Sequence, residues 1–195
     1  MKQPAIAWFG ATVLLTCVGC GFKIGPAHPE KDGKVFLESH GYAQSVIEVV
    51  VNRGVLDRQQ LLEFSKCKSA DVRFLVASNP HLRAENIDLF LTDPNDYARS
   101  GAAYNPNLSS QQMIRLFFDP SHTVYCGLAK NPFVPADLLL RLHKERNPGL
   151  AWFAMNPKCP DTLKAEIRKS NDDDAKRWLD ITEERKLNEP NNSER

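Results

Sequence analysis

One dipeptide returns through this 195-residue chain at almost constant spacing: Asn79-Pro80, Asn105-Pro106, Asn131-Pro132 and Asn156-Pro157. An alanine precedes each asparagine by two residues, at Ala77, Ala103, Ala129 and Ala154. The asparagines stand 26, 26 and 25 residues apart. A period in that range belongs to repeat arrays, whose units bury their apolar faces only by stacking on neighbours. The usual work of such an array is to present an extended surface to a partner. The pattern therefore favours a scaffold over an enzyme.

Each Asn-Pro phrase sits between two helix-period patterns. The residues seven and three places before Asn are Val72 and Val76, Ala98 and Ala102, Val124 and Leu128, Gly149 and Phe153. An i, i+4 pair of this kind marks a short helix with one buried face. Proline stops that helix, because it disfavours the α conformation at the residue before it. The Asn amide is suited to the backbone groups left open at the turn. After the turn come Leu82, Leu108, Val134 or Cys159, and then a helix start: Ser109 with Gln112, or Pro135 and Pro160 with an acid close behind. Second helices are expected to bury Ile87, Phe90 and Leu91; Met113, Leu116 and Phe117; Leu139 and Leu142; Leu163 and Ile167.

Weaker versions of the phrase flank the array. Val49-Val50-Val51-Asn52, Leu56 and the pair Asp57 and Gln60 read as a degenerate first unit, with Arg53 where proline should be. Asp174 to Thr182 reads as a last half-unit that buries Ala175 and Leu179. An open stack needs atypical ends, because its terminal faces meet water. The expected fold is all-α: a right-handed helical solenoid of about five helix-turn-helix repeats with a period near 26 residues. Its expected bounds are 35–182, with a polar, disordered tail over 183–195.

The first residues read differently. Lys2 is followed by an apolar run, Ala5 to Val18, too short to span a bilayer comfortably. It ends in Cys17-Val18-Gly19-Cys20-Gly21, a small residue before a cysteine after an apolar core. This resembles the lipobox of bacterial lipoproteins, although Cys17 stands where an aliphatic residue is usual. The resemblance implies a signal peptide over 1–19, lipid attachment at Cys20, and a tether over 20–34 containing Pro26 and Pro29. Gly21 after the lipidated cysteine resembles signals sent to the outer membrane. The expected location is the bacterial cell envelope, lipid-anchored, on the outer membrane facing the periplasm.

Charge and cysteine usage narrow the partners. Removal of residues 1–19 would take Lys2 and no acid, leaving 24 basic residues against 24 acidic. A net charge near zero makes no case for nucleic acid, whose phosphates demand clustered Lys and Arg. No polybasic patch flanks the anchor, so membrane contact is expected through the lipid alone. Cys126 and Cys159 fall at apolar registers and read as small buried hydrophobes; Cys67 completes an odd set after processing. No metal-ligand spacing, Gly-rich phosphate loop or Ser-His-acid set is present, so no metal, no cofactor and no catalytic residues are expected. Asp172-Asp173-Asp174 reads as a helix cap, favoured by the helix dipole.

The internal pattern resembles the leucine-rich repeat variant family. Asp71-Val72-Arg73, Ala77-Ser78-Asn79-Pro80 and Leu82 match its phrase best. The resemblance covers roughly residues 45–182 and implies a right-handed solenoid of alternating short and longer helices. It implies no shared activity. The cysteine-rich segment that precedes the repeats in some members is missing here, so no iron–sulfur centre is carried over.

Two columns of the pattern are candidate sites. Six residues before each Asn stand Arg73, Arg99, Tyr125 and Leu150; with Trp152, the first three are expected to reach a protein partner, since Arg, Tyr and Trp are favoured interface anchors. Four residues before Asn stand Leu75, Gly101, Gly127 and Trp152, with Trp178 in the half-unit. Gly101 and Gly127 would leave a recess for a small ligand or an enzymatic reaction, unless a bulky residue such as Phe117 fills it. The functional expectation is a protein-binding scaffold or adaptor: part of a secretion or envelope assembly, or an immunity-like inhibitor.

Overall fold

The computed structural model describes residues 28–188. The expected signal peptide, Cys20, most of the tether and residues 189–195 of the tail lie outside them. The described residues form twelve α-helices and no strand. These are α1 (Pro29–Ser39), α2 (Gln44–Val51), α3 (Arg58–Ser65), α4 (Ala70–Ala77), α5 (Ala84–Ile87), α6 (Asp96–Ala103), α7 (Ser110–Phe117), α8 (His122–Lys130), α9 (Ala136–Arg146), α10 (Leu150–Ala154), α11 (Asp161–Lys169) and α12 (Asp173–Asn188). No helix among the described residues is long and apolar enough to cross a membrane.

The helices start and stop where local chemistry dictates. Asp57 accepts from the Gln60 backbone N–H while the Gln60 side chain accepts from that of Asp57, and Ser109 with Gln112 forms the same box. Each box satisfies two donors that the first turn leaves open. Ser69, Asn95 and Ser121 cap α4, α6 and α8 with single side-chain acceptors. Asp172 accepts from the Ala175 N–H at 2.8 Å, the capping role expected of the acidic triplet.

The Asn-Pro turns follow α4, α6, α8 and α10. These four helices pack side by side in chain order, with α1 beside α4 at one end and α12 beside α10 at the other. The expected pairs Val72 and Val76, Ala98 and Ala102, Val124 and Leu128, and Ala175 and Leu179 face inward, as does Phe153 of the fourth pair. Every residue expected to be buried on the second helices is buried as well, from Ile87 to Ile167. Cys126 and Cys159 are buried, and burial pushes the Cys159 thiol up to about 11.

Several boundaries differ from expectation. The tether was expected to run to residue 34, but α1 begins at Pro29; Gly33 and Leu37 are buried, with Gly33 against Leu75. Residues 183–188 were expected to belong to the tail, yet they continue α12. Arg168 holds that extension by pairing with Asp180 and, at 2.8 Å, with Glu183. Gly149 does not join the buried pair of α10. It caps that helix at φ 106°, a conformation glycine adopts without the Cβ clash other residues meet. Arg53, in place of the missing proline, has φ 52°, which a proline ring cannot reach.

Candidate functional site

The four asparagines are internal fasteners. Asn105 Nδ2 donates to the carbonyls of Ala77 and Asn79, at 2.7 and 2.9 Å. Asn131 does the same to Ala103 and Asn105, and Asn156 to Ala129 and Asn131. Each Oδ1 accepts from the backbone N–H two residues on, at His81, Asn107, Phe133 and Lys158. Asn79, beside the degenerate first unit, finds a single carbonyl there, that of Gly54. Asn105, Asn131 and Asn156 therefore each satisfy three backbone groups that burial would otherwise leave unpaired. Bonding within and between turns was the expected use of this column.

The arginine column does not reach outward. Arg73 is buried and forks onto Asp93, with Nε to Oδ2 at 2.6 Å and Nη2 to Oδ1 at 2.9 Å. Its third nitrogen donates to the Cys67 carbonyl at 2.5 Å. Arg99 repeats the arrangement on Asp119, at 2.7 and 3.1 Å, and donates to the Asp93 carbonyl at 2.6 Å. Two such parallel bonds are the strong, geometrically specific form of the ion pair. Tyr125 keeps only the backward link, from its hydroxyl to the Asp119 carbonyl. The expectation that Arg73, Arg99 and Tyr125 contact a partner is corrected: the interior needs their donors. A signal for this existed in the sequence. Asp93-Pro94 and Asp119-Pro120 recur 26 residues apart, each 20 residues after its arginine.

The glycine recess is corrected too. A Cβ on Gly101 would lie 2.6 Å from the Phe74 carbonyl oxygen, and one on Gly127 would lie 2.8 Å from the Ala103 Cβ. Backbone and side chains of the preceding unit fill the space, Phe74 against Gly101, and Ser100, Ala103 and Tyr104 against Gly127, rather than Phe117. The glycines let α6 approach α4, and α8 approach α6, more closely than any side chain would permit. This leaves no room for a ligand.

Trp152 is the partly exposed anchor that no ion pair occupies, and it belongs to a strip crossing four helices. Phe74 on α4 stacks on Tyr97 of α6, with centroids 4.5 Å apart and planes 9° from parallel. Phe74 also meets Tyr104, just past the end of α6, edge-on at 6.2 Å. Lys130 at the end of α8 then sets its Nζ 4.7 Å from the Tyr104 ring centre and 5.2 Å from that of Trp152 on α10. All five side chains are partly exposed.

No family model, curated protein or solved structure matches this chain.

The electrostatics of the strip centre on Lys130. Burial among the rings lowers its amine to about 8, because the charged form loses more hydration than the neutral one. Among the described residues it makes no hydrogen bond or ion pair; it faces the two rings, and the Cys126 thiol acts on it electrostatically, favouring its charged form. Burial raises the Tyr104 and Tyr97 hydroxyls well above the usual phenol range, so both stay protonated. The Trp152 indole N–H is buried without an acceptor among the described residues. No group of three His, Cys, Asp or Glu among the described residues is placed to hold a metal ion. The arrangement offers ring faces, hydroxyls and one cation: chemistry for holding a partner.

Proposed function

We propose that this chain is a lipid-anchored protein of the bacterial cell envelope that works as a protein-binding scaffold or adaptor. In this reading its helices form a right-handed solenoid with a period near 26 residues, of the leucine-rich repeat variant kind. The recurring asparagine bonds at separations of 25 to 28 residues support that description. Cys20 carries the lipid, on the strength of Gly19-Cys20 after the apolar run.

The observation that carries the binding role is the strip from Phe74 through Tyr97, Tyr104 and Lys130 to Trp152. Interface anchors are enriched in aromatic residues because they bring large area at low entropic cost. Here they stand in contact with one another on helices fixed by the asparagine and arginine bonds. A rigid platform loses little freedom on binding, which favours affinity.

The test is co-purification from the cell envelope with the wild-type chain and with a variant changed to alanine at Tyr97, Tyr104, Lys130 and Trp152. Thermal unfolding of both is measured in parallel. The expected result is a set of proteins retained by the wild type and lost by a folded variant. Full retention would remove the strip from the binding surface. Lipid labelling should disappear with Cys20→Ser; if it survives there and vanishes with Cys17→Ser, the anchor is Cys17.

A further inference from the structure

The strip places a cation among rings without giving it an anion. Lys130 Nζ lies between the faces of Tyr104 and Trp152, and no carboxylate pairs with it among the described residues. A neighbouring donor is unmatched as well: the Trp152 indole N–H is buried without an acceptor among the described residues. Arg53 adds positive potential near Tyr104, although Glu30 accepts from its guanidinium at 3.1 Å. On the two preceding short helices the arginines find acids: Arg73 has Asp93, and Arg99 has Asp119. Among the described residues Lys130 has none; like Arg146, which lies against the Phe117, Phe118 and Tyr125 rings, it meets ring faces instead.

We propose that Lys130, with Tyr104 and Trp152 around it, receives an Asp or Glu side chain from a partner protein, the acid being flanked there by apolar residues. The inference rests on the scaffold reading and names the chemistry the scaffold recognises. Charge complementarity selects the carboxylate, since it supplies the acceptor that the amine and the indole N–H lack among the described residues. The ring faces select the apolar flanks, and Phe74 with Tyr97 continues the platform beyond the acid's own position. Desolvation makes the pair stronger than a surface ion pair, because the ring walls already exclude water from the amine.

The ionisable groups around the amine set its pH response. Cys126 lies one turn earlier on α8, beside His122 at 3.5 Å from Sγ to Nδ1, and Tyr104 faces it from α6. Trp152 on α10 does not ionise. A carboxylate should therefore bind the protonated amine firmly near neutral pH and lose affinity as pH rises through about 8.

The probe is a random peptide library displayed on phage and panned against the full chain in detergent. Enriched peptides should share an acid between apolar residues. Lys130→Met should weaken the best peptide by about tenfold or more, and replacing the peptide's acid by its amide should cost about the same. The two changes together should cost little more than either alone, as a double-mutant cycle requires of one contact. Tyr104→Phe should give a smaller loss, and Arg115→Ala none. Affinity should be level below pH 7 and fall above about pH 8 in the wild type only. Peptides that bind Lys130→Met and wild type alike would overturn this inference while leaving a scaffold in place. If nothing is enriched and nothing co-purifies with the wild-type chain, the scaffold reading fails as well. A chain ending at Asn188 that binds peptides about tenfold more tightly would identify its own acidic tail as the occupant, and would overturn a partner's claim to the site.

Discussion

From α4 to α8 each short helix is tied forward by a buried arginine–aspartate fork, whereas from α8 to α10 the same places hold Tyr125 and Asn147. Asp93-Pro94-Asn95 and Asp119-Pro120-Ser121 enter α6 and α8 with a carboxylate that serves both the fork and the turn. Their Oδ1 atoms also accept from the Asn95 and Ser121 N–H groups, each at 2.8 Å. The corresponding Asn147-Pro148-Gly149 enters α10 through two left-handed residues, at φ 44° and 106°. Arginine and aspartate leave this register together: Tyr125 stands where the arginine would be, and Arg146 lies against the Tyr125, Phe117 and Phe118 rings. Helix spacing changes at the same point. Gly101 and Gly127 bring α6 and α8 close to their predecessors, while Trp152 fills the equivalent position on α10. One backbone plan is thus held by buried charge and close backbone contact in one region, and by rings in the other. The ring-held region is where Lys130 is caged and the surface stays open.

The sharpest way to break this comparison is to remove the side chain that precedes the proline on each side. Asp93→Ala leaves Arg73 buried and unpaired, and should cost about 3–5 kcal/mol. Asn147→Ala should cost about 1–2 kcal/mol, the strain of a left-handed alanine. Urea unfolding of both variants measures the difference, and equal losses would dissolve the distinction between the regions.

Smaller effects should follow from the glycines. Gly101→Ala and Gly127→Ala each gain helix propensity of about 1 kcal/mol but overpack a tight contact at a cost of about 1–3 kcal/mol. Both should be destabilising, Gly101→Ala more so, because its obstacle is a backbone oxygen with little freedom to move. A stabilised Gly101→Ala would show that α4 and α6 are not in close backbone contact.

The pH response of the ring-held region is expected to be smaller again. A folded-state value of about 8 for Lys130 lies below its ordinary one, so the unfolded chain binds more protons between the two. That means stability contributed through Lys130 rises as pH climbs from about 8 toward 10. The raised Tyr97 and Tyr104 act in the opposite sense above about pH 10, where unfolding releases their protons. The wild type should therefore gain stability relative to Lys130→Met between about pH 8 and 10, and a flat difference would show that the amine is not desolvated. The smallest effect belongs to Arg115, exposed on α7: Arg115→Ala should change stability by less than about 0.5 kcal/mol, also read by urea unfolding.

Much of the helical plan was legible because it is local. Asp57 with Gln60 and Ser109 with Gln112 announce helix starts within four residues, and proline after Asn announces the stops. The i, i+4 pairs place the core directly, since a helix of known start has only one way to face. Boundaries failed where contacts from outside decide them. Nothing within residues 29–34 says that Gly33 will meet Leu75, or that Arg168 will hold α12 through Glu183. The site failed for the same reason. Arg73 and Arg99 look like surface cations until Asp93 and Asp119, twenty residues away, are brought onto them. Two glycines look like a gap until another helix enters it.

The sequence by itself determined an all-helical chain, the position of its turns, and the side of each helix that is buried, because capping, proline sterics and helical periodicity act over a few residues. Only the tertiary structure decided which polar side chains are consumed inside and which are left without an ion-pair partner among the described residues. That depends on distances between residues far apart in the chain. Arg73 and Arg99 find their acids across neighbouring helices, and among the described residues Lys130 finds two rings and no acid.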